Sequence, residues 1–267
     1  MLSLLITKFK NILIVLLMGA LILTSLSFTS HANDNANEYI KVTVMQEKVQ
    51  STIAIQQKRE CDIVIRVGEY NGKAGKRVYI DNLSWALIPT DIPIHKDNEG
   101  HYIQEFDINN KIATRVYQQL LNEGVNVKLQ IAESKQQDLN SAGRISNKSN
   151  PYIYLSMHTN SWKSDSSGYF GMYNTNDAIG KKIAQRLSDS IKDNGMIKQV
   201  SNRDNKNGYI GEMNAIHEST IPVLMEMGFF SNTQPNGDLY YLLSDEYSDY
   251  ISENLANELI NILNEIR

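Results

Sequence analysis

A single cysteine, Cys61, in a chain of 267 residues excludes an internal disulfide, so the fold rests on its core whatever the redox state of its compartment. Cys61 opens an apolar run and has no cationic neighbour to lower its thiol pKa, which predicts a small core residue rather than a reactive thiol. An excess of basic charge is also missing: 26 Lys and Arg face 30 Asp and Glu, a net charge of −4. That balance gives no electrostatic footprint for nucleic acid or anionic lipid. Beyond residue 60 there is no internal repeat and no Gly/Ser/Pro-rich linker, so the remainder reads as one domain.

What is present first is an N-terminal pattern. Lys8 and Lys10 precede an apolar stretch from Ile12 to Leu23, and Ser30 and Ala32 occupy the small-residue positions of a cleavage site. This predicts a secretory signal peptide over residues 1–32, an uncleaved anchor being the alternative, since the apolar character extends to Phe28. Removal of the segment takes two lysines and no acid, leaving 24 basic against 30 acidic residues and no stable membrane insertion. Residues 33–60 are polar and weakly patterned, as a spacer or peripheral segment would be.

From Cys61 to Arg267, strand and helix patterns alternate. "CDIVIRV" predicts a strand, and "VYIDNLSWALIP" a further strand or hairpin. Ile108, Ile112, Val116 and Leu120 predict a helix from about Asp107 to Glu123, stopped by Gly124. Val125, Val127, Leu129 and Ile131 alternate as a strand with one wet face, and a polar helix near Asp138 to Asn147 leads into "PYIYLSM", nearly continuous like a central parallel strand. "GYFGMYN" is a short strand. Ile179, Ile183, Leu187 and Ile191 mark a second amphipathic helix, "IPVLMEMGFF" a buried strand, and Ile251, Leu255, Leu259, Ile262 and Ile266 a C-terminal helix. The expected fold class is α/β, a mostly parallel twisted sheet with helices on both faces in a single catalytic domain.

In such sheets ligands gather outside the carboxyl ends of the strands. That rule selects Glu69, just past "IVIRV"; His158, ending "PYIYLSMH"; and Glu226, ending "IPVLME". Each has an ordinary reading: a turn acid, a hydrogen-bonded histidine, a paired buried carboxylate. Their joint occurrence at three strand ends is what packing explains poorly. Glu105 stands just before the helix near Asp107, where an acid favours the positive end of the helix dipole or turns toward the same sheet edge. One His and two carboxylates, with a third carboxylate as base, suit a catalytic zinc that activates water and polarises a scissile carbonyl.

These residues resemble the zinc-dependent N-acetylmuramoyl-L-alanine amidases of the type-3 amidase family, over about Asp62 to Arg267. "YLSMHTNS" resembles the family's Ser-x-His-x-Asn element, and "IPVLMEMGFFSN" its Pro-x-x-Leu-x-Glu-x-Gly-Phe-x-Ser-Asn element. The resemblance implies His158 and Glu105 as zinc ligands and Glu226 as the catalytic glutamate. It also implies that Asn160 shapes the turn after the ligand strand, and it matches Arg144 to the arginine of the family's preceding helix. His217 stands where the family commonly has arginine. The first element departs: Gly68 is followed by Glu69 where the family has histidine, and Arg66 stands where aspartate is usual. Glu69 itself coordinating, His101 or His95 supplying the missing imidazole, and a metal-free site are the open accounts. The implied function is an exported cell-wall hydrolase acting on peptidoglycan, with Zn2+ as cofactor. A non-catalytic peptidoglycan binder on the same scaffold and a two-carboxylate glycosidase are the alternatives.

Overall fold

The computed structural model describes residues 59–69, 77–80, 90–132, 139–192 and 194–267. The predicted signal peptide, the spacer as far as residue 58, residues 81–89 of the predicted hairpin and Asp138 lie outside the described residues.

Six strands form the main sheet in the order β5, β1, β6, β9, β7, β8. They are β1 (Ile63–Val67), β5 (Val127–Gln130), β6 (Ile153–Asn160), β7 (Phe170–Asn174), β8 (Arg203–Asn205) and β9 (Ile221–Phe229). Strands β5, β1, β6 and β9 run parallel, while β7 is antiparallel to β9 and pairs in parallel with β8. A separate antiparallel ladder joins β2 (Arg77–Ile80), β4 (His101–Gln104) and β3 (His95–Lys96). The sequence pattern pointed to β2 but not to β3 or β4, whose residues carry no apolar alternation.

The helices are α1 (Glu105–Asn122), α2 (Leu139–Asn147), α3 (Ala178–Ser190), α4 (Gly211–Asn214), α5 (Asp238–Leu243) and α6 (Asp245–Ile266). Helix α1 starts two residues earlier than its apolar spacing suggests, because Asp107 Oδ2 accepts the Gln104 amide at 2.9 Å and closes the first turn. It ends as predicted: Gly124 takes φ 75°, and the Gly124 and Val125 amides return to Leu121 and Leu120. Ser244 caps α6 and Asp177 caps α3, each through a side-chain oxygen accepting an amide in the first turn.

Period-two alternation divides the sheet into two unequal faces. Ile63, Ile65 and Val67 of β1, Ile153, Leu155 and Met157 of β6, and Val223, Met225 and Met227 of β9 join the large core with α1, α3 and α6. Truncating one of them, such as Leu155→Ala, costs about 2–5 kcal/mol. Among the described residues, the opposite face carries a small apolar cluster of Cys61, Val64 and Tyr154 against Ile216. Cys61 is thus a buried core residue, and burial pushes its thiol pKa up.

Two stripes behave differently from their spacing. Four-residue steps drift by about 40° each around a helix. Helix α1, packed on both the sheet and α6, buries all of Ile108, Ile112, Val116 and Leu120, whereas α3 leaves Ile179 exposed. Ile131 is exposed because it lies beyond the end of β5.

Candidate active site

The carboxyl ends of β1, β6 and β9 lie side by side in the sheet. Register places His158 opposite Glu226, and Arg66 opposite Ser156. Tyr154, Ser156 and His158 alternate onto the sparsely apolar face, with Arg66 and Glu226 beside them. The β1–β6 ladder continues one residue past β1, the Gly68 amide donating to the Met157 carbonyl at 2.8 Å. A side chain at residue 68 has no room: a Cβ there would sit 2.6 Å from Cδ2 and Cε1 of His158 and 2.5 Å from the Met157 oxygen. The glycine of the opening motif therefore lets the imidazole lie against the backbone.

After Gly68 the chain turns sharply, and Glu69 adopts φ 62°, a left-handed conformation that costs a non-glycine residue about 1–2 kcal/mol. Arg66 holds that turn. Its guanidinium is buried and donates to the Val67 carbonyl and, at 3.1 Å, to the Glu69 carbonyl.

Glu105, first residue of α1, is buried, with Oε1 at 3.5 Å from His158 Nδ1. Asn109, one turn on, donates to the Gly68 carbonyl at 3.2 Å and ties α1 to the end of β1. One ligand atom each from Glu69, Glu105 and His158 lies within 4.8 Å of the other two, close to the span reached by one cation bonded at about 2.0–2.2 Å. Glu105 Oε2 is buried and has no hydrogen-bond partner among the described residues. A carboxylate oxygen so placed is costly without a cation or donor, so this donor set fits a divalent metal.

His158 has a second set of partners on its far edge. Nε2 lies 3.2 Å from Glu212 Oε1 and 3.1 Å from Ser156 Oγ. Burial pushes the imidazole pKa down, but hydrogen bonding to Glu105 and Glu212 and the charges of Glu212 and Glu226 raise it well above its ordinary value. Glu212 is fully buried on α4; burial pushes its carboxyl up, yet His158 and Arg66 hold it below its ordinary value. The Tyr154 hydroxyl donates to Glu212 Oε2 at 3.2 Å, and Arg66 Nε approaches the same oxygen at 4.0 Å. Glu226 is half-buried, less enclosed than its apolar flanks suggest.

Sequence reasoning did not find Glu212, which lies in the unpatterned stretch "KNGYIGEMNAI". A usable signal was present nonetheless. Arg66 and Tyr154 interrupt apolar strands, and each, once buried, requires a polar partner.

Asn160 ends β6 at a register shift; its Oδ1 accepts the Ser161 amide at 2.7 Å and its carbonyl accepts the Phe230 amide at 2.9 Å. It lines an open cavity of about 430 Å³ with Trp162, Ser166, Ser167, Val200, Arg203 and Phe229. Neither Arg144 nor His217 belongs to the three-member cluster. Arg144 is exposed on α2 and donates to Ser141 one turn earlier. His217 is exposed in the turn before β9, at the end of that strand opposite Glu226, where its amide donates to Asn147. His95 is occupied by Asp107 at 2.9 Å and stacks on Tyr102, and His101 belongs to β4. Because α1 begins only at Glu105, His101 and Glu105 share no helix face, and the three-member cluster forms without either histidine.

The sequence model of the N-acetylmuramoyl-L-alanine amidases matches residues 95–261. The chain belongs to this family. It is an N-acetylmuramoyl-L-alanine amidase, with peptidoglycan as its substrate polymer.

Solved structures share the amidase fold at low identity. The amidase AmiC2 of Nostoc punctiforme is 21% identical with a TM-score of 0.55, covering 78% of this chain and 99% of that one. The catalytic domain of CwlV from Bacillus (Paenibacillus) polymyxa var. colistinus is 16% identical with a TM-score of 0.57, covering 76% and 98%. The CwlD amidase from Clostridioides difficile, solved in complex with the GerS lipoprotein, is 18% identical with a TM-score of 0.54, covering 78% and 100%. A comparison with curated proteins finds no match. The family match begins at His95 and leaves out β1 and the turn after it, where Glu69 stands. In this amidase the strand that leads to Glu69 still pairs beside β6.

Proposed function

We propose that this amidase is exported and cleaves the amide between the lactyl group of N-acetylmuramic acid and the first L-alanine of the stem peptide, with Glu226 as general base and then general acid. The observation that carries the reading is the convergence of Glu69, Glu105 and His158 at the ends of β1 and β6 and the start of α1, with Glu226 across the ladder from His158. Those three residues would hold a divalent cation, zinc foremost. When bound, the cation would supply Lewis-acid polarisation of the scissile carbonyl and activation of water.

The protein's own groups do the rest. Glu226 takes a proton from the attacking water and delivers it to the leaving nitrogen, so the alanine departs as an amine. Glu105, held at the helix start, and the imidazole, packed flat on Gly68, keep their donor atoms in place before substrate arrives. Asn160 and Trp162 bound the cavity beside the strand ends, where the stem peptide or glycan would lie. A set with two carboxylates and one imidazole is more anionic than one with two imidazoles, which broadens metal choice toward manganese. Export rests on the charge and apolar pattern of residues 1–32; among the described residues no helix is long and apolar enough to cross a membrane.

The test is incubation of purified protein with peptidoglycan, with and without chelator, following new alanine amino groups. Release that chelator abolishes and added zinc restores is expected; no release with any divalent metal would overturn the proposal.

A further inference from the structure

Glu212 and Arg66 stand outside the proposed ligand set, yet both are buried against it. Glu212 Oε1 faces His158 Nε2 at 3.2 Å, while His158 Nδ1 faces Glu105 at 3.5 Å. The two nitrogens of one ring are thus assigned to two different tasks. Arg66 spans the same gap from the other side, donating to the Glu69 carbonyl at 3.1 Å and placing Nε 4.0 Å from Glu212 Oε2. Tyr154 completes the cradle of Glu212 with a hydrogen bond of 3.2 Å.

We infer that Glu212 and Arg66 are a positioning pair: Glu212 accepts the Nε2 proton of His158 so that the Nδ1 lone pair faces the cation, while Arg66 fixes the Glu69 turn and neutralises Glu212. The inference rests on the metal-site reading above and adds a linkage between its two sides. A carboxylate behind a ligating histidine fixes ring orientation and tautomer and raises the basicity of the ligating nitrogen. Here that carboxylate comes from α4, 54 residues away in the chain. A single buried cation therefore serves the strained turn of β1 and the imidazole of β6 together. An uncompensated charge at either position is expensive in this setting, which explains why residue 66 is basic when residue 212 is acidic.

The experiment measures zinc affinity by competition with a chromophoric chelator, alongside thermal unfolding, for the wild type, Glu212→Gln, Arg66→Met and the double variant. A 10–100-fold loss of zinc affinity is expected for Glu212→Gln. The double variant removes both charges, so its melting temperature recovers toward the wild type while its zinc affinity stays low. The cobalt(II)-substituted proteins give a second readout, with ligand-field bands that shift in both Glu212 variants. Folded Glu212→Gln with unchanged zinc affinity, or a double variant that regains affinity together with stability, overturns the inference and marks the pair as purely structural. A wild type that holds no zinc or cobalt overturns the metal-site reading itself, and the inference with it; the wild-type arm therefore separates the two failures.

Discussion

At the ends of β6 and β9 the chain stays in regular parallel register as far as His158 and Glu226, whereas at the end of β1 it leaves the ladder after Gly68 and sets Glu69 at φ 62°. The first region needs only strand alternation to aim its side chains. The second needs a glycine under the imidazole, a buried arginine on the turn carbonyl and an asparagine from α1 on the Gly68 carbonyl. Regular structure thus presents His158 and Glu226, and a braced irregular turn presents Glu69. A backbone cost of this kind persists where the surroundings over-determine it, as in functional sites.

The two regions separate by whether a variant loses rate or loses metal. Glu226→Gln should lower kcat by about 10²–10⁴-fold, as loss of a general acid–base does, with bound metal unchanged by elemental analysis. Equal losses of both would make Glu226 part of the metal site instead.

The β1 side should behave in the opposite sense. Glu69→Ala is expected to weaken metal binding by more than the ~100-fold typical of losing a supporting group. Glu69→His should restore it and narrow the preference toward zinc, because histidine is among the residues that tolerate positive φ. Equilibrium dialysis against zinc and manganese reads both variants.

Gly68→Ala tests whether the two regions share one wall. Its Cβ would press on the His158 ring and the Met157 carbonyl, and overpacking of that kind costs about 1–3 kcal/mol. Urea unfolding measures the loss, and zinc affinity should fall with it. Glu69→Gly should act in the reverse direction on stability: relief of the left-handed turn raises the unfolding free energy of the metal-free protein by about 1 kcal/mol while metal affinity drops.

The smallest effect is a control far from both strand ends. Asp245 bonds Arg115 at 2.6 Å and Lys111 at 3.0 Å, and these hydrogen bonds hold its carboxyl below the ordinary value of 3.8. A depressed carboxyl pKa contributes stability above its unfolded value that is lost as pH falls through the folded value. Asp245→Asn should therefore lower the melting temperature slightly at pH 7, and the difference should vanish below the folded value with metal affinity at neutral pH untouched.

Much of this arrangement was legible in the amino-acid string. The apolar runs identified β1, β6 and β9, and the ionisable residues ending them proved to be neighbours, because parallel strands of one sheet finish at one edge. Glu105 was legible as a helix-start acid, although α1 opens on it rather than after it. Arg144 and His217 were matched by motif position alone; the fold leaves Arg144 exposed on α2 and sets His217 in the exposed turn at the end of β9 opposite Glu226. His95 offered a substitute imidazole, but Asp107, part of the α1 start, engages it.

What the sequence determined by itself is therefore the framework: strand alternation, helix periodicity and capping are local, and they decide which side chains reach the carboxyl edge of the sheet. Tertiary structure alone decided the pairing within that edge. The contacts of Glu212 with His158 and Tyr154, and its approach to Arg66, join segments with no shared periodicity. Buried charges select partners by proximity after the chain has packed, and no spacing rule written in one segment encodes the position of a carboxylate on another.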